Sequence, residues 1–183
     1  MNSFIDLSSL TATTSFGPRI KVNEHFAIDS VDLKYNVGVT LRDRDGNVVD
    51  SNIGHNLIMD NGKLELVKRL CGDSAGTLNY CAVGTGGVAG DPFTPIAPVS
   101  TATALNAEVF RSTFTSKTYG LSGASNVVLS TIFLSTAVNN IISEAGLFMA
   151  VTGGVMFARY TFPSMYLKMD RGFSLAIDWT IQF

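Results

Sequence analysis

Two carboxylates stand out by their setting. Glu108 and Glu144 fall in strand-like stretches, where glycosidases often hold their acid and base. Each has an arginine to hand, Arg111 or Arg159. A charge set among apolar residues must be paired. The expectation is therefore structural: Glu108 and Glu144 pair with Arg111 and Arg159 and fix strand register. On this reading the chain is not an enzyme, and no catalytic residue is assigned.

A second chemistry is suggested by Tyr80-Cys81-Ala82-Val83-Gly84-Thr85-Gly86-Gly87-Val88-Ala89-Gly90. Gly84-x-Gly86 with Ala89 three residues on fits a loose dinucleotide fingerprint. That fingerprint needs a helix directly after it, because the helix N-terminus holds the pyrophosphate. Here Asp91-Pro92-Phe93-Thr94-Pro95 follows, and its prolines cannot run as a helix. No Lys-Ser or Lys-Thr follows for a phosphate loop. The glycines are read as a strand exit that permits positive φ and close packing, and no cofactor is expected.

The remaining reactive side chains form no constellation. His25 and His55 are isolated, and Gly-x-Ser-x-Gly is absent. Cys71 and Cys81 give neither a disulfide framework nor a metal spacing, and both are read as reduced core residues. Asp43, Asp45, Asn47 and Asp50 look like part of a calcium loop, but its terminal Glu is missing and a hairpin accounts for them. No metal is expected.

Composition narrows the partners. Of 183 residues, 46% are hydrophobic, enough for one packed domain. Only 15% are charged, where about 25% is usual. The surface must rely on Ser, Thr, Asn and Gly, or be covered in part by partners. A net charge of -2 leaves no basic footprint for nucleic acid. No apolar run approaches the roughly 20 residues of a spanning helix. The start, MNSFIDLSSL, lacks the charge and apolar run of a signal peptide, so a soluble protein without membrane insertion is expected.

The elements that must position these residues are mostly strands. Residues 1–30 have no firm period and are read as an extended arm, with Phe4, Ile5, Leu7, Leu10, Phe16 and Ile20 as apolar anchors. From 31 to 42 apolar and polar residues alternate, the period of a half-buried strand. Asp45-Gly46 turns the chain into a second strand ending near Leu57. A helix follows, capped by Asp60 or Asn61, with Leu64, Val67 and Cys71 on its buried face and Gly72 closing it. Further strands are expected at 78–83, 108–119, 127–134, 141–151 and 155–162, with a turn at 121–125. The strand at 127–134 reads as central and apolar on both faces. The last strand alternates Leu175, Ile177, Trp179, Ile181 and Phe183 with small or polar residues. Residues 94–107 form a crossover loop with a turn of helix near Thr103. The sum is a mainly β fold: an antiparallel, jelly-roll-like β-sandwich over 31–183, with one short docked helix and the arm.

Several pieces occur together in order. They are Leu41-Arg42-Asp43-Arg44-Asp45-Gly46-Asn47-Val48-Val49, His55-Asn56-Leu57-Ile58, Tyr80 to Gly86, and Thr103-Ala104-Leu105-Asn106-Ala107-Glu108-Val109-Phe110-Arg111. Ser143-Glu144-Ala145-Gly146-Leu147-Phe148, Phe157-Ala158-Arg159 and Trp179-Thr180-Ile181 complete the set. This ordered set resembles the small β-rich, tail-fibre-like virion proteins of tailed bacteriophages, over roughly residues 31–183. The resemblance implies a structural role on the phage particle, after synthesis in the host bacterial cytoplasm. It implies partners that are copies of the same chain, with a trimer for a fibre, and other virion proteins. Capsid decoration is the alternative within that class. A receptor- or carbohydrate-binding module, using Phe93, Tyr119 and Tyr166 on a host-surface glycan, is the alternative outside it. Phe93 and the arm residues are the candidate assembly contacts.

Overall fold

The computed structural model describes residues 34–120, 126–168 and 170–182. The arm with Phe4, Ile5, Leu7, Leu10, Phe16 and Ile20, and the turn expected at 121–125, lie outside the described residues.

Alternation builds the first hairpin. In β1 (Lys34–Arg42), Val37, Val39 and Leu41 are buried, while Asn36 and Arg42 are exposed. The turn is held by Asp43. Its Oδ1 accepts the backbone N–H groups of Asp45 at 2.9 Å and Asn47 at 2.8 Å. Its Oδ2 accepts from Asn47 Nδ2 at 3.0 Å. These bonds, the Asn47 side-chain contact foremost, hold the Asp43 carboxyl below the usual carboxylate range. The calcium-like acids are thus a self-capped turn, and Gly46 supplies its positive φ of 87°. The chain returns as β2 (Val48–His55), breaks at Asn56, and enters β3 (Leu57–Ile58) in the other sheet.

Helix α1 (Asp60–Leu70) docks by a face other than the one its leucines suggest. Gly62 and Glu65 are buried and Leu66 packs on the core, while Leu64, Val67, Leu70 and Cys71 are exposed. The reason is Gly62. A Cβ there would collide with the backbone of Phe157, so only glycine lets the helix approach this closely. Glu65 then turns inward and accepts from Lys68 Nζ at 2.7 Å and from the Gly76 N–H at 2.8 Å. Cys71 is therefore a surface residue, not a core one. Met59, rather than Asp60 or Asn61, is the N-cap, and it makes no side-chain cap bond. Gly72 ends the helix with a φ of 78°.

The later strands are β4 (Tyr80–Gly84), β5 (Glu108–Thr113), β6 (Ser116–Tyr119), β7 (Asn126–Leu134), β8 (Asn140–Phe148), β9 (Met156–Leu167) and β10 (Ser174–Gln182). They form two five-stranded antiparallel sheets, ordered β2-β1-β10-β7-β6 and β3-β9-β8-β4-β5. The antiparallel β-sandwich is the architecture observed. The single strand expected at 108–119 is instead two, β5 and β6, in different sheets. β9 continues through Pro163 because the ladder is irregular there: Ile142 faces Met165 while Glu144 faces Thr161. Proline is tolerated at such a bulge. No turn of helix forms near Thr103. Among the described residues, no helix is long and apolar enough to cross a membrane.

The core lies between the sheets. Trp179, Ile177, Leu175, Phe133, Val37 and Val39 meet Cys81, Val83, Ile142, Leu147 and Phe162. Each large apolar side chain buried this way contributes about 1.5–3 kcal/mol. β7 is not buried on both faces, as its apolar run suggests. Leu129 and Phe133 point into the core, but Ile132 and Leu134 are exposed.

Candidate functional site

β8 lies between β4 and β9, which places Glu144 opposite Gly84 on one side and Thr161 on the other. Its side chain is 0% exposed. Oε1 accepts the backbone N–H groups of Gly86 at 3.0 Å and Ala107 at 2.8 Å. Oε2 accepts the Asn106 N–H at 3.1 Å and Arg159 Nη2 at 2.6 Å. An ionised carboxylate has about four acceptor sites, and four donors meet this one. Such charge-assisted bonds are roughly twice as strong as neutral ones.

Three of these donors come from the two ends of one loop. Residues 85–107 leave β4, cross the outside of the second sheet, and return to β5. Thr85 N–H bonds the Ala107 carbonyl at 2.9 Å, and Asn106 Nδ2 bonds the Gly86 carbonyl at 2.9 Å. Gly87 N–H bonds Ser143 Oγ at 3.0 Å. Further out, Thr161 Oγ1 donates to the Ile96 carbonyl at 2.7 Å, and Ser164 N–H to the Pro92 carbonyl at 2.8 Å. Backbone N–H groups gathered in this way make an anion site. Here the anion is the protein's own carboxylate.

The glycines serve this closeness. Gly84, Gly86 and Gly87 do not have positive φ, so conformational freedom is not their role. A Cβ at Gly86 would lie 2.5 Å from Asn106 Cβ and 2.9 Å from Glu144 Oε1. Of the loop glycines only Gly90, with φ of 75°, uses the freedom expected of all four.

The other acid is placed differently. Glu108 and Arg111 sit three apart in the same strand and form a two-pronged pair at 2.9 and 2.7 Å. A pair within one strand cannot set register between strands. Arg111 also donates through Nη1 to the carbonyls of Ala150 at 2.7 Å and Gly153 at 2.9 Å. Its guanidinium lies 3.6 Å over the Phe148 ring. This group therefore pins the turn between β8 and β9 to β5. Of these two pairs, only Glu144–Arg159 joins neighbouring strands. Arg159 is less fully engaged than Arg111, since its buried Nε meets no acceptor among the described residues.

The remaining candidates do not converge on this site. Phe93 is 76% exposed at the outer tip of the loop. Beside it Asp91 accepts from Thr94 Oγ1 at 2.6 Å and from the Phe93 N–H at 3.2 Å, which holds its carboxyl below the usual range. Burial pushes the Cys81 thiol up to about 12, with Trp179 and Thr131 opposing. A thiol so raised is inert at neutral pH. Among the described residues no group of His, Cys, Asp or Glu is arranged to hold a metal. An apolar cleft of about 290 Å³ runs beside α1, lined in part by Leu66, Leu78, Val127, Met149 and Ile181. An open groove of about 410 Å³ lies at Asn139, Tyr166, Lys168 and Asp170.

Sequence reasoning missed Ser143, Asn106 and Thr161 as members of the network. Their signal was indirect: a Glu between apolar neighbours needs donors, and a glycine-rich loop is a dense source of them. No family model, curated protein or solved structure matches this chain.

Proposed function

We propose that the chain is a non-enzymatic structural protein of a bacteriophage particle, an oligomeric tail-fibre or tail- or neck-appendage subunit docked through residues 1–30. One observation carries the non-enzymatic part. The buried acid that could have done chemistry is saturated by four donors of the same chain. A general acid or base must keep a site free for the proton it moves. The phage assignment rests on the ordered motif set and on the low charge of the surface, which suits a face covered by neighbours. Deleting residues 1–30 tests it: the sandwich should fold and melt as before, while incorporation into particles is lost. Normal incorporation of the truncated chain would overturn docking through the arm.

A second reading has its own observation. Tyr166 is half exposed beside the groove with Asn139, Lys168 and Asp170, an aromatic ring among polar groups that suits a sugar. Lys168 Nζ already stands 4.8 Å from the ring centre. Binding on a glycan array that disappears in Tyr166→Ala supports this reading, and an unchanged array refutes it.

A further inference from the structure

On the outer face of the sheet β2-β1-β10-β7-β6, three rows cross the strands next to the Asp43–Asn47 turn, with the row through Asn36, Thr180 and Val128 beyond them. The first row is Ile53, Gly38, Asp178 and Ser130. The second is Ser51, Thr40, Ala176 and Ile132, and the third is Val48, Arg42, Ser174 and Leu134. Their strand neighbours Val37, Val39, Leu41, Leu175, Ile177, Leu129 and Phe133 point into the core. Four large apolar residues on this face are open: Ile53 at 81%, Leu134 at 55%, Val48 at 53% and Ile132 at 49% exposed. They form two groups, Ile53 and Val48 on β2 and Ile132 and Leu134 on β7, with the small and polar residues of β1 and β10 between them.

The charges say what covers this face. Arg42 and Asp178 are the only charged residues in the three rows, and neither has a salt bridge among the described residues. They stand two rows apart, about 14 Å along the strands at ~3.4 Å per residue, too far to pair within one copy. A two-fold axis along the middle row reverses the strand direction and keeps the lateral order. It lays the first row of each copy over the third row of the other. Asp178 then falls beside Arg42 of the second copy, on both sides of the axis. Ile53 falls over Val48, Ser130 over Leu134, and Ile132 over its own equivalent. An isologous contact requires this self-complementarity.

We propose that this face is where two copies of the chain pack sheet to sheet about a two-fold axis, with Arg42 and Asp178 exchanged across it. The proposal deepens the oligomeric part of the proposed function and rests on that part alone.

Light scattering on the full chain, over a range of concentrations and in modest salt, tests it. Wild type should be a dimer, or a larger assembly built on that dimer. Arg42→Asp and Asp178→Arg should each raise the dissociation constant about tenfold or more, because each sets like charges opposite. The two together restore opposite charges and should recover the wild-type value. Ile132→Lys should separate the copies. A wild-type circular dichroism spectrum and a single cooperative melt establish that every variant is folded. Association that ignores all these substitutions overturns the two-fold face and leaves the oligomer standing. A wild type that stays monomeric at every concentration overturns the oligomer itself.

Discussion

The outer faces of the two sheets are finished differently. On the β3-β9-β8-β4-β5 sheet the outer face is covered by the crossover loop and the start of α1. Met59, Ala82, Leu105, Phe148 and Met156 form a second, smaller core there. On the β2-β1-β10-β7-β6 sheet nothing among the described residues lies over the outer face. The strands carry the record. From Ile142 to Phe148 β8 is buried on both faces, whereas β10 alternates buried and accessible residues along its length. The difference teaches that, among the described residues, one sheet carries a third layer and the other does not. A loop laid over a sheet brings backbone N–H groups that need acceptors. Glu144 takes three of them, and Ser143 takes that of Gly87.

The sharpest way to break this comparison is Glu144→Ala. It leaves Arg159 buried without its partner and three loop N–H groups without an acceptor. Denaturant melts should show a loss of about 3–5 kcal/mol, as for other broken buried pairs. A curve close to wild type would mean the covered face does not depend on the carboxylate. Gly86→Val comes next. The added side chain must push Asn106 or Glu144 aside, an overpacking that costs about 1–3 kcal/mol. Hydrogen exchange should rise across residues 85–107 first, and ATP or NAD should shift neither melt. Ile132→Lys belongs to the other sheet's outer face and should change the stability of the isolated chain by less than about 0.5 kcal/mol. A large loss in dilute solution would show that this face is covered within a single chain.

The smallest effect is a pH dependence on the covered side. Asp60, through Ser100 first and Lys63 second, and Asp91, through Thr94, are both held below the ordinary carboxylate value of 3.8. A lowered folded value means the folded state binds protons less readily than the unfolded chain. The contribution is therefore complete above the ordinary value and fades as pH falls through the folded one. Thermal midpoints should drop on acidification below about pH 4. Asp60→Asn combined with Asp91→Asn should flatten that slope. An unaltered slope would place the acid sensitivity elsewhere.

Strands with strict alternation were legible in the sequence because one face meets the core and the other meets solvent. β1 and β10 are the clearest cases. Regions with more than one layer were less legible. The helix was read from its leucines, but a glycine and a glutamate decide which side docks. That choice depends on the backbone of Phe157, far away in sequence. The same limit applied to β7, whose apolar outer residues looked buried and are not. At the site, the need of Glu144 for a partner followed from its neighbours alone. That its donors would be loop amides, with Arg159 rather than Arg111 as the cation, depended on where residues 85–107 return. The glycine loop misled only about its guest: it does gather N–H groups around a negative charge, and the charge is internal.

One feature of the chain path bears on how the molecule comes apart. At Asn56 the edge strand β2 passes into β3, and at residues 114–115 the edge strand β5 passes into β6. Each flank of the sandwich is thus a continuous chain stitched from one sheet to the other. Neither sheet can peel away while its partner stays whole, because the outermost strand of one is the immediate continuation of the outermost strand of the other. Unfolding of this domain should therefore be a single cooperative event, with the same midpoint seen by tryptophan fluorescence at Trp179 and by far-ultraviolet circular dichroism.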